Sequence, residues 1–287
     1  MIQQDSEITT TSKPARYRLR FSFGSALVTG LGTIGLLFLT LPILALIIRS
    51  IQNRAWENMP GSAIPEAILL SFVSTSMTIL ATAMFGTPLA YILARRKFPF
   101  KRLAMVLVEL PIVLPPAVAG LALLITFGRR GLFGPVLGEL GISLSFTFAA
   151  VVMAQTFVAA PFYIRSAQIG FQSIPIEIEE AARVDGAGGF RLFWLVTLPI
   201  ARRALAAGLV LCWARALGEF GATILFAGSL QGRTQTMPLL IYNIFERDID
   251  AAIWTGLILV AIALVALLIS HWLARNAKEQ DTLVGTI

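Results

Sequence analysis

Long charge-free stretches alternate along the chain with short segments in which basic residues cluster. Phe21–Ile48 (28 residues), Ala67–Ala94 (28), Leu140–Ile164 (25) and Ala251–Ala274 (24) contain no Asp, Glu, Lys or Arg, and Leu110–Gly128 (19) adds a fifth run. A bilayer hydrocarbon core of ~30 Å needs about 20 apolar helical residues, so each run is of the length that crosses it. A sixth stretch, Ala204–Gly228, is apolar except for Arg215 and Glu219. The pattern predicts an all-α polytopic membrane protein with five or six spans.

The distribution of Lys and Arg selects six. Lys13, Arg16, Arg18 and Arg20 precede the first run, and Arg95, Arg96, Lys97, Lys101 and Arg102 follow the second. Arg165, Arg183, Arg191, Arg202 and Arg203 follow the fourth, and Arg275 and Lys278 follow the last. The remaining connections hold two each: Arg49 and Arg54, Arg129 and Arg130, Arg233 and Arg247. Cytoplasmic connections are the Lys/Arg-rich ones, so six spans with both termini inside fit the alternation. Five spans would put the basic 165–203 segment and the sparse 229–250 segment on one side. The expected organisation is a tail over 1–24, spans near 25–48, 67–94, 110–128, 144–164, 204–228 and 251–274, a cytoplasmic loop over 165–203, and a tail over 275–287. The first run is much longer than the ~7–15-residue core of a signal peptide and no small-residue cleavage site follows, which predicts an uncleaved helix.

Composition narrows the function. Hydrophobic residues make up 56% and charged residues 14% of 287 positions, and mean hydropathy is +0.79. A water-soluble chain cannot hide that much apolar surface. The net charge of +7 sits in the connections between spans, which marks orientation and argues against nucleic-acid binding. One cysteine, Cys212, and one histidine, His271, leave no intramolecular disulfide, no expected metal site and little imidazole chemistry. Both are read as packing residues. An intramembrane hydrolase would need a nucleophile–base pair or paired metal ligands, and the chain has no such motif.

Polar residues within the spans are the next clue. Ser71, Ser74, Thr75, Thr78 and Thr82 recur at helical spacing and share one face. They can let helices approach and hydrogen-bond, or they can line a path for a polar solute. Glu109 is followed by Pro111, Pro115 and Pro116. This predicts a bent or broken third span, tolerated at membrane depth only beside protein or water. Glu109 is expected near the cytoplasmic interface, within reach of the Arg95–Arg102 cluster. Arg215 and Glu219 are four apart and share a helical face. Insertion scales put the cost of a lone mid-span arginine at ~2.5–3.5 kcal/mol, so it requires a partner or water. The pair reads either as an internal ion pair or as a charged element on an ion path, which an ion-driven transporter or channel would also explain.

The 165–203 segment reads as two short helices. One starts at Ile174-Pro175 with Glu177, Glu179 and Glu180 near its beginning, the other spans Phe190–Trp194, and Gly186, Gly188 and Gly189 separate them. Proline and acids suit a helix start. Ala181 and Ala182 would let another surface approach closely, so the segment is expected to dock into a partner's groove.

Glu180-Ala181-Ala182, three residues, Gly186, nine residues, then Val196-Thr197-Leu198-Pro199 resembles the EAA loop of ABC-importer permeases, with valine where isoleucine is usual. Leu114-Pro115-Pro116, Phe127-Gly128-Arg129, Gly141–Thr147, Arg215–Thr223 and Gly232–Leu239 are similar to the molybdate permeases, whose relatives carry tungstate, sulfate or thiosulfate. The match runs from about Ile64 to Leu268, and Gly232-Arg233-Thr234-Gln235-Thr236 leans toward molybdate or tungstate. The resemblance implies a type I ABC-importer permease that couples through Glu180, Ala181, Ala182, Gly186, Leu198 and Pro199. It implies a homodimer in the inner membrane, two copies of a cytoplasmic ATPase, and an extracytoplasmic oxyanion-binding protein. Solute would pass along the subunit interface beside Ser71, Thr75, Thr78, Thr82, Glu109, Pro115, Pro116, Arg215 and Glu219. Arg129 and Arg130 would lie at the external mouth, where they attract a dianion, solvate the loop or meet the binding protein. The chain has no G-x-x-x-x-G-K-[ST] loop and no Gly-Lys dipeptide, so ATP and Mg are expected on the partner.

Overall fold

The computed structural model describes residues 23–58 and 61–284, with side chains described over 26–57 and 61–268. The basic N-terminal cluster and the His271 side chain lie outside the described residues. The chain divides into two units, the first ending at Ile48 and the second starting at Arg49. The described part of the first is helix α1 (Phe23–Gln52), whose last four residues count with the second unit. Within it Thr33 and Thr40 donate to the carbonyls of Thr29 and Leu36, so these two hydroxyls are satisfied by the helix's own backbone.

Among its described residues the second unit consists of helices joined by turns and loops, with no strand. Its helices are α2 (Ala63–Arg95), α3 (Lys101–Val113), α4 (Pro116–Phe127), α5 (Gly134–Glu139), α6 (Phe148–Gln172), α7 (Ile176–Val184), α8 (Gly189–Leu192), α9 (Leu198–Leu217), α10 (Gly221–Ala227), α11 (Met237–Phe245) and α12 (Ile249–Val284). A π-turn over Phe193–Thr197 joins α8 to α9.

Three long helices form the core. Thr78 donates to Gln155 Oε1, and the Thr87 hydroxyl meets that of Tyr163. An advance of nine residues on α2 thus matches eight on α6, and the two helices run parallel. Helix α9 runs the other way: Ser166 donates to the Ala204 carbonyl, while Gly208 lies against Ser166 and Tyr163. Small Ala90, Ala159, Ala167, Ala201 and Ala216 fill the seams, with Tyr163 and Phe171 buried among them. Small residues at the contacts suit helices that associate by close packing, because lipid supplies no hydrophobic drive between them.

Parallel α2 and α6 oblige the intervening chain to return across the membrane. Helices α3 and α4 carry it. On α3, Met105 accepts from Gln168 Nε2 and Glu109 pairs with Arg165, so rising numbers on α3 meet falling numbers on α6. On α4, Pro116 lies against Gly221 and Gly120 against Ala222, alongside α10, which packs on Val151 and Ala154 in the first half of α6. Each limb therefore advances toward the end of the bundle where α6 begins, although their axes differ by 115°. Among the described residues five helices are long and apolar enough to span a membrane, and the number is six where the bent pair α3–α4 is taken as one broken span.

Two expected spans differ from continuous helices. The stretch expected at 110–128 is broken at Leu114-Pro115, both extended (ψ 132° and 133°), because a residue before proline avoids the helical region and two successive prolines offer no amide donors. The first limb also begins earlier, at Lys101. The stretch at 204–228 splits into α9 and α10, with Gly218, Glu219 and Phe220 between them. The expected 165–203 loop loses its first residues to α6, which runs on to Gln172, and the expected tail from 275 is helical to Val284.

Candidate functional site

The segment after α6 is tied to the bundle by one carboxylate. Glu179, on α7, is 1% exposed, and its Oε1 lies 2.9 Å from both Nε and Nη2 of Arg95 at the end of α2. Thr197 Oγ1 donates to the same oxygen at 3.3 Å, and Arg183 Nη2 approaches Oε2 at 3.6 Å. Arg95 Nη2 also donates to the Ile174 carbonyl at 2.9 Å. A buried carboxylate with charged donors on both oxygens is strongly held. It joins the end of α2, the helix α7 and the turn entering α9 into one clamp.

The residues expected to couple stand around this clamp. Glu180, Ala181, Gly186 and Pro199 are exposed, while Ala182 and Leu198 are half-buried. Gly186 has φ +89° with open space where a Cβ would stand. Ala187 N–H reaches the Ala182 carbonyl and Gly186 N–H that of Arg183, so Gly186 closes α7 in the left-handed conformation that glycine adopts cheaply. Val184, Phe190, Trp194 and Leu195 are exposed at 87%, 78%, 52% and 72%. Apolar side chains presented on a short helical knob are the pattern of a docking surface. In the sequence Arg95 stands only as one of a basic cluster and Glu179 only as one of three acids at a helix start, and nothing there joins them. Glu179 and Arg183 do show the i,i+4 spacing of a helix pair, but Arg95 lies 84 residues away and has no local signal.

A second constellation lies where α9 ends. Cys212 Sγ contacts Thr82 Oγ1 near the middle of α2, and Arg215 lies one helical turn beyond it on α9. Its Nη1 pairs with Glu219 Oε2 at 2.8 Å; the arginine is 29% exposed and the carboxylate 1%. Glu219 Oε1 accepts the Ala222 N–H at 2.8 Å, so the same carboxylate caps α10 where the helix resumes. The break in this span meets the proline break. A Cβ on Gly221 would stand 2.5 Å from Pro116 Cβ, and one on Gly120 would stand 2.7 Å from the Ala222 carbonyl oxygen. Two interrupted spans thus touch backbone to backbone, beside a partly exposed guanidinium. Such breaks are tolerated at membrane depth beside protein or a water-filled cavity. Gly120→Ala is expected to cost about 1–3 kcal/mol, the usual range for overpacking, read as a lowered thermal midpoint in detergent with the chain still inserted.

The other expected path residues lie elsewhere. Ser71, Ser74, Thr75, Thr78 and Thr82 are each 2% exposed or less. Ser71 Oγ accepts the Met237 N–H, Ser74 and Thr75 donate to the Ser71 carbonyl, and Thr78 bonds Gln155. The hydroxyl stripe is therefore occupied within the subunit, against α6, α9 and α11. Pro115 and Pro116 are exposed at the break. Glu109 pairs with Arg165 at 3.3 Å, not with the Arg95–Arg102 cluster, because α3 lies along α6. Arg129 and Arg130 are exposed in the turn after α4, and Arg129 Nε donates to Ser143 Oγ at 3.3 Å. Nearby, Thr234 Oγ1 accepts the Leu230 N–H, while Gln235 and Asn243 both donate to Ser229 Oγ, which folds the segment before α11 into a compact polar turn.

A family model described as "Binding-protein-dependent transport system inner membrane component" matches residues 86–278, a range that holds the clamp's α7 and both breaks. The chain belongs to this family. The permease is 41% identical over 234 residues to the molybdenum transport system permease protein ModB of Mycobacterium tuberculosis, covering 82% of this chain and 89% of that one. It is 34% identical over 226 residues to the sulfate transport system permease protein CysW of Synechococcus elongatus, covering 78% and 79%. A chain of the bacterial alginate ABC transporter, solved in complex with an alginate pentasaccharide-bound periplasmic protein, superposes with a TM-score of 0.70 at 19% identity, covering 88% of this chain and 94% of that one. The permease has the fold of an ABC transporter membrane subunit.

Proposed function

We propose that this permease is the translocating subunit of an ATP-driven importer of molybdate, with tungstate as cargo of the same charge and shape. The observation that carries the reading is the 41% identity to a permease named for molybdenum transport, over nearly nine-tenths of that protein. The likeness to a sulfate permease supports a second cargo reading, sulfate or thiosulfate, on the same fold.

The assembly we infer has two copies of this chain, two cytoplasmic ATPase subunits and an extracytoplasmic oxyanion-binding protein. The Lys/Arg distribution supports placing both termini and the 165–203 loop in the cytoplasm of a cell whose inner membrane holds the complex. The permease itself carries out no chemical step and binds neither ATP nor metal. The knob bearing Val184, Phe190, Trp194 and Leu195 docks on the ATPase. When the ATPase closes, the Glu179 clamp transmits the motion to α2 and α9 together, since one carboxylate holds both. The paired breaks at Leu114-Pro115 and Gly218–Phe220 absorb the change of direction and serve as the gate. Arg215 offers the dianion a positive group at mid-depth, while Arg129 and Arg130 raise its concentration at the mouth.

Uptake of radiolabelled molybdate by cells expressing the chain with its partner subunits tests this reading. Competition by cold tungstate but not by sulfate is expected. Gly186→Glu is expected to abolish uptake, because a left-handed residue at the knob's turn becomes a bulky acid. Efficient competition by sulfate moves the cargo to the second reading, and uptake unchanged by Gly186→Glu rejects coupling through this loop.

A further inference from the structure

The connection between α2 and α3 has no role in the mechanism above. It forms an open cleft of about 520 Å³ lined by Lys97, Phe98, Phe100, Lys101, Arg102 and Met105. Lys97 and Arg102 have no ion-pair partner among the described residues, and Lys101 Nζ donates to the Arg96 carbonyl. The nearest acids along the neighbouring elements are committed elsewhere, Glu179 to Arg95 and Glu109 to Arg165. Phe98 and Phe100 are 37% and 80% exposed. Phe100 also holds φ +63°, a backbone region that a bulky side chain seldom occupies.

We propose that this cleft holds the headgroup of an anionic phospholipid. Three of the six residues that line this mostly apolar space are cations and none is an acid, a combination that suits a phosphate carried on an apolar tail. The location selects a lipid over a free anion. The apolar stretch of α2 ends at Ala94, so the cleft begins where hydrocarbon gives way to headgroups, and the exposed phenyl rings are placed to enter the acyl layer. Basic pockets at the cytoplasmic ends of transmembrane helices bind anionic headgroups by this combination of charge and depth, and aromatic rings prefer the same layer. The site abuts the coupling clamp, because Arg95 lies two residues before Lys97. An occupied cleft braces the elbow between α2 and α3 to which α7 is fastened. The inference rests on the membrane insertion of the bundle and is independent of the cargo.

The test is lipid retention by the full-length permease after passage through bilayer nanodiscs of equal parts phosphatidylglycerol and phosphatidylcholine, read by native mass spectrometry. Wild type is expected to retain phosphatidylglycerol in preference to phosphatidylcholine. A cation near an anionic surface contributes roughly fivefold in affinity, so Lys97→Gln/Arg102→Gln is expected to lower that retention by more than about tenfold. Arg202→Gln/Arg203→Gln, two charges removed at the same end of the bundle, is expected to leave it within about twofold. Equal losses in the two variants, or no loss in the first, overturn the proposal. A second reading uses the unmodified protein: its thermal midpoint is expected to rise with the phosphatidylglycerol fraction, and millimolar inorganic phosphate is expected neither to reproduce the rise nor to displace the lipid. A flat midpoint, or displacement by phosphate, overturns it as well.

Discussion

Glu179→Ala is expected to abolish molybdate uptake while leaving the chain inserted in the membrane. The substitution removes the acceptor for Arg95 and Thr197 and the partner of Arg183. Arg95 is only 14% exposed, and it would keep the Ile174 carbonyl alone. Breaking a buried pair by removing one partner costs about 3–5 kcal/mol. At about tenfold per 1.4 kcal/mol, the docked position of α7 falls at least a hundredfold in population. The coupling knob would then move without moving α2 or α9. Glu179→Gln keeps an oxygen for Arg95 and is expected to retain partial uptake. Arg95→Lys cannot serve Glu179 and Ile174 together with a fixed planar fork and is expected to resemble the alanine variant. The measurement is uptake together with protease cleavage within 165–203, which should become faster. Uptake within about threefold of wild type, with cleavage unchanged, would show that the clamp does not carry the coupling; the scale is set by one charged hydrogen bond at about 1.5–3 kcal/mol.

The second large effect is expected at Arg215. Arg215→Ala leaves the Glu219 carboxylate, 1% exposed, with only the Ala222 N–H, and a charge unpaired at membrane depth costs at least ~2.5 kcal/mol. Both the amount of folded permease and uptake should fall. The double variant Arg215→Ala/Glu219→Gln removes both charges and keeps an oxygen to cap α10. It is expected to recover the folded amount without recovering uptake, which should stay down by about 10–100-fold, the worth of one charged hydrogen bond to the anion. Arg215→Lys should sit between. Recovery of uptake in step with the folded amount would assign the pair to packing alone and remove Arg215 from the solute path.

The sequence exposes whatever is set by composition and local spacing. Charge-free runs mark the segments long and apolar enough to cross lipid, and the basic clusters between them carry the expectation of how those segments alternate. Pro111, Pro115 and Pro116 announce an interrupted third span because the loss of backbone donors is a property of the residues themselves. Arg215 and Glu219 are legible as a pair because four residues make one helical turn. The EAA loop is legible because its glycine and small residues keep a fixed spacing.

Tertiary packing decided the rest. The two prolines could not show that α3 and α4 differ by 115° and yet both lead toward the end of the bundle where α6 begins. That follows from α2 and α6 lying parallel, which forces the chain between them to return. Glu109 found Arg165 rather than the Arg95–Arg102 cluster because α3 packs along α6. The hydroxyls from Ser71 to Thr82 read first as a packing seam and second as a path, and tertiary structure supplied the partners that no spacing names, Gln155 for Thr78 and the Met237 amide for Ser71. Arg95 and Glu179 are joined across 84 residues by the same register of small side chains between α2, α6 and α9. Solvent preference is a property of each segment and is written in its composition. The partner of a buried polar group depends on how distant helices settle against one another, and no local pattern encodes that.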